Sequence, residues 1–374
     1  MIRKILIAPD SFKDSMSAKT VCDTIEKAIL EVDSKYIIEK VAMADGGEGT
    51  IESLKQNLNG KIVKLNVKGP LLENVEAEYI LDEKSKTAFI EMASASGLEL
   101  VPIDKRNPYY TSSYGTGELI LHAVNKGAKN IIIAIGGSAT VDAGVGMLMA
   151  LGAKILDKDK KSIKLGGKYL SDIESIDISA IPDINITVAR DVENTLTGIN
   201  GASYVFGPQK GAKPEMLEML DNNLKHFAKI VRKQHKKEVE NIKGAGAAGG
   251  LGAALLLIGA KLEKGIDIVM KLNKLEEKII KSDLIITGEG KLDSQTILGK
   301  TCYGVAKLSK KHNKPVIAFS GILSEDSEIL SNYGIDAMFS IVNSVESLEN
   351  ALNNADKNLY KTVKNVFRLI GIKE

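Results

Sequence analysis

Short runs of consecutive apolar residues recur along the chain, each closed by a glycine or a polar cluster and followed by apolar positions at helical spacing. The first, KILIAPD at 4–10, leads to Val21, Ile25, Ala28, Ile29 and Val32, which fall on one helical face, with Ser17 placed as its N-cap. NIIIAIGG (130–137), DLIITGEG (283–290), KPVIAFSG (314–321) and DAMFSIV (336–342) repeat the pattern, with helical stretches between them. Strands alternating with helices predict parallel α/β units. Strands that are apolar throughout, rather than at every second position, predict a sheet covered on both faces.

The middle of the chain has a different texture. Residues 61–97 carry strand-like runs around a Gly-Pro turn at 69–70, the pattern of a hairpin or mixed sheet. Residues 214–239 read as an amphipathic helix: Leu217, Leu220, Leu224, Phe227 and Val231 recur at three- and four-residue spacing behind Pro214. Its basic end, VRKQHKKE, reads as a solvated face favourable to the helix dipole, because no aromatics interleave as single-strand binding requires. The first strand and the last three resemble one another. The chain is therefore expected to leave their sheet after about residue 65, build a second domain and return near 283.

Composition narrows the classes. A chain of 374 residues accommodates two domains of ordinary size, and its net charge of +2 gives no pointer to nucleic acid or an anionic membrane. Cys22 and Cys302 stand far apart without a motif, the usage of a reduced cytosolic protein. The N-terminal MIRKILIAPD turns acidic too soon for a signal peptide, and the longest uncharged stretch, 244–260, is glycine-rich and poor as a membrane span. A soluble cytoplasmic protein is expected. His122, His226, His235 and His312 lack metal-ligand spacing and there is no nucleophile elbow, so zinc and hydrolase chemistry have little support.

Five segments carry candidate chemistry, and all read as loops: DSFKDSMSA (10–18), MADGGEGT (43–50), IGGSATVDAGVGM (135–147), GAGAAGGLG (244–252) and TGEGKLDSQTILGKT (287–301). GAGAAG matches G-x-G-x-x-G, but the KKEVENIK before it is too charged for the buried strand that a dinucleotide fingerprint requires. It reads instead as a loop of small residues entering a helix, either open to a phosphate or closely packed. TILGKT looks like the end of a P-loop, but Ser294 stands where that motif needs glycine; Lys300 remains a candidate to face a phosphate. Asp45 and Glu48, and Glu289 and Asp293, sit among glycines that permit φ > 0 and expose N–H groups, which suits Mg²⁺ and phosphate held together. Tight turns with polar tips are the plainer alternative. At 10–13 an acid, a hydroxyl and a lysine follow the first strand, more polar chemistry than a turn requires.

Taken in order, APDSFKDSMSA, MADGGEGT, EMASASGL, SYGTGELI, IGGSATVDAGVGML, FGPQKGA, GAGAAGGLG and ITGEGKLDSQTILGK resemble the bacterial glycerate kinase family over nearly the whole chain. The resemblance implies two α/β domains with the active site in the cleft: a Rossmann-like domain with a parallel sheet (1–65 with 283–374) and a mixed-sheet domain inserted into it (66–282). It implies ATP-dependent phosphorylation of D-glycerate, with the 2-hydroxyl favoured, and small-molecule partners without nucleic acid or membrane; a homo-oligomer is compatible with it. Val141, Ala143 and Thr195 depart from the family pattern, although Asp142 is kept.

On this reading Asp191, Lys13 and Asp45 are the catalytic candidates, with Asp191 first and Asp45 second as base. Asp10, Ser11, Gly46, Gly47, Glu48, Arg190, Asn194 and Lys300 are expected to bind substrate or phosphate. Gly136, Gly137, Ser138, Gly244, Gly246, Gly249, Gly288, Glu289 and Gly290 are expected to bind nucleotide, and Asp293 and Glu289 to bind Mg²⁺. The rivals are a nicotinamide-dependent hydroxy-acid oxidoreductase, resting on GAGAAG, and a non-catalytic hydroxy-acid sensor.

Overall fold

The computed structural model describes residues 2–44, 60–190 and 192–372. Asp45, Gly46, Gly47, Glu48 and Asp191 lie outside them. In chain order the strands are β1 (Lys4–Ile7), β2 (Ile37–Lys40), β3 (Lys61–Lys68), β4 (Asn74–Asp82), β5 (Thr87–Glu91), β6 (Asn130–Ala134) and β7 (Lys154–Leu156), then β8 (Ser175–Asp177), β9 (Asn185–Arg190), β10 (Lys261–Lys264), β11 (Leu284–Leu292), β12 (Val316–Leu323) and β13 (Ala337–Ser340). They divide between two compact units, one of residues 2–44 and 266–372, the other of residues 60–265.

The first unit holds a five-stranded sheet in the order β13-β12-β11-β1-β2, with every pair parallel. Both of its faces are covered. Ile5 and Ile7 belong to a core shared with helices Ala18–Val32 and Ala355–Gly371, while Leu6 and Ala8 face one shared with helices Leu275–Lys281 and Thr301–Lys311. Side chains alternate across a strand, so a strand buried on both faces must be apolar at every position. Ser17 caps helix Ala18–Val32 through the Thr20 amide, which donates to Ser17 Oγ at 3.1 Å.

Residues 287–290 are strand rather than loop, which corrects the sequence expectation. β12 runs on to Leu323, and β11 follows it, pairing Gly288 with Phe319 and Glu289 with Ser320. Gly288 is needed there because a Cβ would stand 2.6 Å from the Phe319 carbonyl oxygen.

The second unit holds a six-stranded mixed sheet, β10-β9-β6-β5-β4-β3. β3, β4 and β5 form an antiparallel meander around the Gly-Pro turn, and β5, β6, β9 and β10 run parallel. All of β3 belongs to this sheet, so the chain enters it before residue 65. Ile266 and Val269 already pack in the first unit's core, so the return precedes 283. The long amphipathic helix spans Pro214–His235 and stops where Lys236 turns left-handed (φ 55°).

No strand precedes GAGAAG. Helix Ala247–Leu257 begins with Ala248, Gly249 and Gly250 left-handed (φ 54°, 67° and 92°). Gly249 presses on the 140–143 backbone: its carbonyl accepts from the Ala143 amide at 3.1 Å, and a Cβ on it would lie 1.8 Å from the Thr140 oxygen. Gly244 and Gly246 donate their amides to the Asn194 carbonyl at 3.1 and 3.0 Å. Close packing explains these glycines. Gly249→Ala is expected to cost at least about 2 kcal/mol in urea unfolding followed by circular dichroism, from the left-handed φ and the clash together. Wild-type stability would mean that the 140–143 backbone yields readily.

Candidate active site

In the first unit, candidate side chains gather at the carboxyl end of the parallel sheet, where open α/β sheets bind ligands. β1 delivers Asp10, Ser11 and Lys13. β11 delivers Glu289, Gly290 and Lys291, and the turn after it Asp293, Thr296 and Lys300. The two strands are locked in register by the Ala8 amide donating to the Ile286 carbonyl at 2.7 Å and the Asp10 amide to Gly288 at 2.8 Å. Asp10 Oδ1 accepts from the Ser11 amide at 2.6 Å, and Oδ2 accepts from Thr301 Oγ1. Thr301 opens helix Thr301–Lys311, whose positive end favours the Asp10 charge.

Glu289 is only 6% exposed, and its Oε1 accepts from Thr296 Oγ1 at 2.9 Å. Burial pushes its carboxyl up to about 7, against the pull of Lys300 and the Thr296 hydroxyl, while the nearby Asp10 and Asp293 charges push the same way as burial. Lys300 Nζ lies 3.8 Å from Glu289 and 3.6 Å from Asp293. Asp293 also pairs with Lys291 at 3.0 Å. Burial opposes its ionisation, but Lys291 and Lys300 outweigh that and hold its carboxyl below the ordinary range. A cavity of about 330 Å³ opens among Asp10, Ser11, Lys13, Glu289, Lys291 and Lys300.

Among the described residues no group of three or more His, Cys, Asp or Glu side chains is arranged to hold a metal ion. Mg²⁺ carried on phosphates needs only one or two carboxylates from the protein. Of the expected pair Asp293 and Glu289, Glu289 would be the weaker donor, because its raised pKa favours a proton.

In the second unit the candidates gather at the carboxyl ends of β5, β6 and β9. Gly137 is left-handed (φ 72°) and its carbonyl accepts from the Leu98 amide at 2.8 Å. Ser138 Oγ accepts from Lys210 Nζ at 2.6 Å, and the Thr140 carbonyl takes a second Lys210 proton at 2.8 Å. Lys210 is fully buried, which pushes its ammonium down to about 7 although the Asp142 charge pulls it up. Asp142 accepts from the Ser113 amide and hydroxyl, both at 2.8 Å, and from the Gly144 and Gly146 amides at 3.1 and 3.3 Å. Its complete burial nevertheless pushes the carboxyl up. Arg190 donates to the Val192 carbonyl at 3.0 Å, while its Nε is buried with no partner.

Asp10, Ser11, Lys13, Gly288, Glu289, Gly290, Asp293 and Lys300 thus stand together in one unit. Gly136, Gly137, Ser138, Arg190, Asn194, Gly244, Gly246 and Gly249 stand in the other. The residues expected to bind nucleotide fall in both. Sequence reasoning passed over Thr296, Thr301 and Lys291, which lie inside the segment 287–301 already marked by its composition, and Lys210, which lies in FGPQKGA; it noted Asp142 but gave it no role.

A parallel α/β sheet with an acid–lysine group at its carboxyl end defines a protein that handles charged small molecules. The chain belongs to the glycerate kinase family, which it matches over residues 5–371. It is 49% identical to the glycerate 2-kinase of Escherichia coli K12, over 99% of this chain and 98% of that protein. It is 47% identical to the glycerate kinase of Bacillus subtilis 168, over 97% and 96%. The crystal structure of a protein assigned as glycerate kinase 2 from Salmonella typhimurium LT2 superposes with a TM-score of 0.89 at 47% identity, covering 100% of this chain and 99% of that one. The protein is accordingly a phosphotransferase of the glycerate kinase class, for which ATP is the co-substrate. The oxidoreductase and sensor readings find no support. No helix among the described residues is long and apolar enough to cross a membrane.

The raised Glu289 carboxyl makes a pH prediction. Its ordinary value of 4.5 becomes about 7 on folding, so the folded state takes up a proton between these limits. Its contribution to stability is greatest below the lower value, falls as pH rises and levels off above the upper one. In the metal-free protein, Glu289→Gln is therefore expected to gain stability over wild type as pH rises from 5 to 7, by about 2 kcal/mol in urea unfolding. A difference that stays constant across that range would mean that Lys300 keeps Glu289 ionised.

Proposed function

We propose that this enzyme transfers the γ-phosphoryl group of ATP to the 2-hydroxyl of D-glycerate, giving 2-phosphoglycerate and ADP, in the cytoplasm. The observation that carries the reading is the grouping of Asp10 and Glu289 with Lys13, Lys291 and Lys300 around one cavity, with Asp293 paired to Lys291 and Lys300 behind them. The name of the Escherichia coli relative, a glycerate 2-kinase, supports the choice of hydroxyl. We take the two compact units as the two domains of the enzyme.

Phosphoryl transfer asks little covalent work of a protein and much charge placement. The hydroxyl oxygen attacks the γ-phosphorus, the bond to the β–γ bridging oxygen breaks, and the hydroxyl proton passes to a carboxylate. Asp191, which follows β9 directly, is the proposed acceptor, with Asp45 the alternative. Lys13 and Lys300 offset the charge on the transferring group, and Ser11 offers a hydroxyl beside them. Mg²⁺ entering with ATP would be held by Asp293, with Asp10 or Glu289 beside it, and would neutralise phosphate charge. Arg190 and Asn194 are proposed to bind glycerate or its phosphate.

Phosphorus–proton correlation NMR of the product is the direct test: coupling to the single methine proton is expected, and coupling to the methylene pair would assign the 3-hydroxyl instead. Lys13→Ala is expected to lower kcat/KM by at least about 10²-fold with a normal melting curve. Asp191→Asn is expected to lower kcat by about 10²–10⁴-fold with little change in KM for glycerate and no rescue by added Mg²⁺. Rescue would make Asp191 a metal ligand, and a loss seen only in Asp45→Asn would move the base to Asp45.

A further inference from the structure

The cavity at the carboxyl ends of β1, β11, β12 and β13 has two unlike sides. One carries Asp10, Lys13, Glu289 and Lys300. The other is an apolar wall: Ile322 near the end of β12, Ile341 and Val342 just past β13, and Leu348, Ala351 and Leu352 on helix Leu348–Asn353. Three of these side chains are open to solvent, with Ile322 51%, Val342 42% and Leu348 70% exposed. Exposed apolar side chains are ordinary when scattered, but several converging on one concave surface mark a binding face.

The wall offers contact rather than hydrogen bonds. Its side chains carry no donors or acceptors, and several adjacent backbone groups are already engaged. The Val342 amide donates to Ser340 Oγ at 3.2 Å, the Ile341 carbonyl accepts from Asn343 Nδ2 at 2.9 Å, and the Leu352 carbonyl accepts from Ser15 Oγ at 3.0 Å. Glycerate bears oxygen on every carbon and has nothing to gain from such a wall. A purine ring has two apolar faces to desolvate. The volume, about 330 Å³, lies at the low end for small-molecule sites and suits one ring system with its attached groups.

We infer that this wall is the nucleobase subsite. The purine of ATP packs against Ile322, Val342, Leu348 and Ala351, and its triphosphate runs toward Lys13 and Lys300. The inference rests on the proposed reading of those lysines as phosphate ligands. It puts the base in the first unit and leaves the glycine segments of the second without a role in holding it.

The test separates base from phosphate. Wild type, Val342→Asp and Ala351→Trp are titrated calorimetrically with ATP and with inorganic tripolyphosphate, and KM for glycerate is measured alongside. Both variants are expected to bind ATP at least about tenfold more weakly, equivalent to about 1.4 kcal/mol, while tripolyphosphate affinity and the glycerate KM stay within about twofold. Unchanged ATP affinity in a folded variant overturns the subsite, as does an equal loss for tripolyphosphate. A change in the glycerate KM alone would give the wall to the acceptor. Wild type that binds neither ATP nor tripolyphosphate would sink the phosphate reading as well, whereas wild type that binds both, with unaffected variants, would sink the base subsite only. Val342→Asp sits on an open surface, so its melting curve is expected to match wild type even if Ala351→Trp fails to fold.

Discussion

The pairing of β1 with β11 is the contact on which the first unit depends. It joins Ile5 to Leu284 and Ile7 to Ile286, residues about three-quarters of the chain apart. Three side-chain contacts reinforce it: Asp283 Oδ2 accepts from the Arg3 and Lys4 amides at 2.9 and 2.8 Å, and Thr287 Oγ1 donates to the Ala8 carbonyl at 2.9 Å. A slip of one residue would turn Ile5 and Ile7 onto the opposite face and break both cores. The register is therefore set by burial on two faces at once. It carries Asp10 beyond the sheet alongside Glu289, so the register that closes the cores also assembles the acid group.

That acid group is not built for stability. Glu289 is buried without a close ion pair, since Lys300 stands 3.8 Å away and is shared with Asp293. A buried carboxylate with only a distant partner is costly and resolves the cost by holding a proton. Arrangements of this kind persist where incoming charge completes them. On the proposed function, the phosphates of ATP would engage the lysines and the accompanying cation the acids.

In the second unit the buried charges serve the backbone. Asp142 gathers donors from Ser113, Gly144 and Gly146, tying the segment after β6 to the helix that begins at Tyr114. Lys210 holds the same segment from the other side through Ser138 and Thr140. Gly249 fits against Thr140 with no room for a side chain. A turn held on three sides has little freedom left to lose when a ligand arrives, which is the value of preorganisation.

Much of this was legible in the chain. The continuous apolar runs at 5–8, 284–286 and 316–319 identified buried parallel strands because only a two-face environment tolerates them. Ser17 was readable as a cap and Pro214 as a helix start, since both act through neighbours a few residues away. The ordered motifs carried the family and with it the reaction class. The length of β11 was not legible. Thr287 to Gly290 look like a turn when read alone and become strand only because β12 extends beside them. The crossing points between units were hidden for a related reason: an amphipathic helix such as 265–272 shows which of its faces is buried but not which sheet covers it. The amino-acid sequence by itself determined the local elements, the buried faces and the residue types available for chemistry. Only the tertiary structure decided that Glu289 would lie buried beside Asp10 and Asp293 and titrate near neutrality, that Lys210 would be enclosed, and that Gly249 of GAGAAG would lie against the Thr140 backbone. Each of these depends on desolvation and close approach between segments far apart in the chain, which no local pattern encodes.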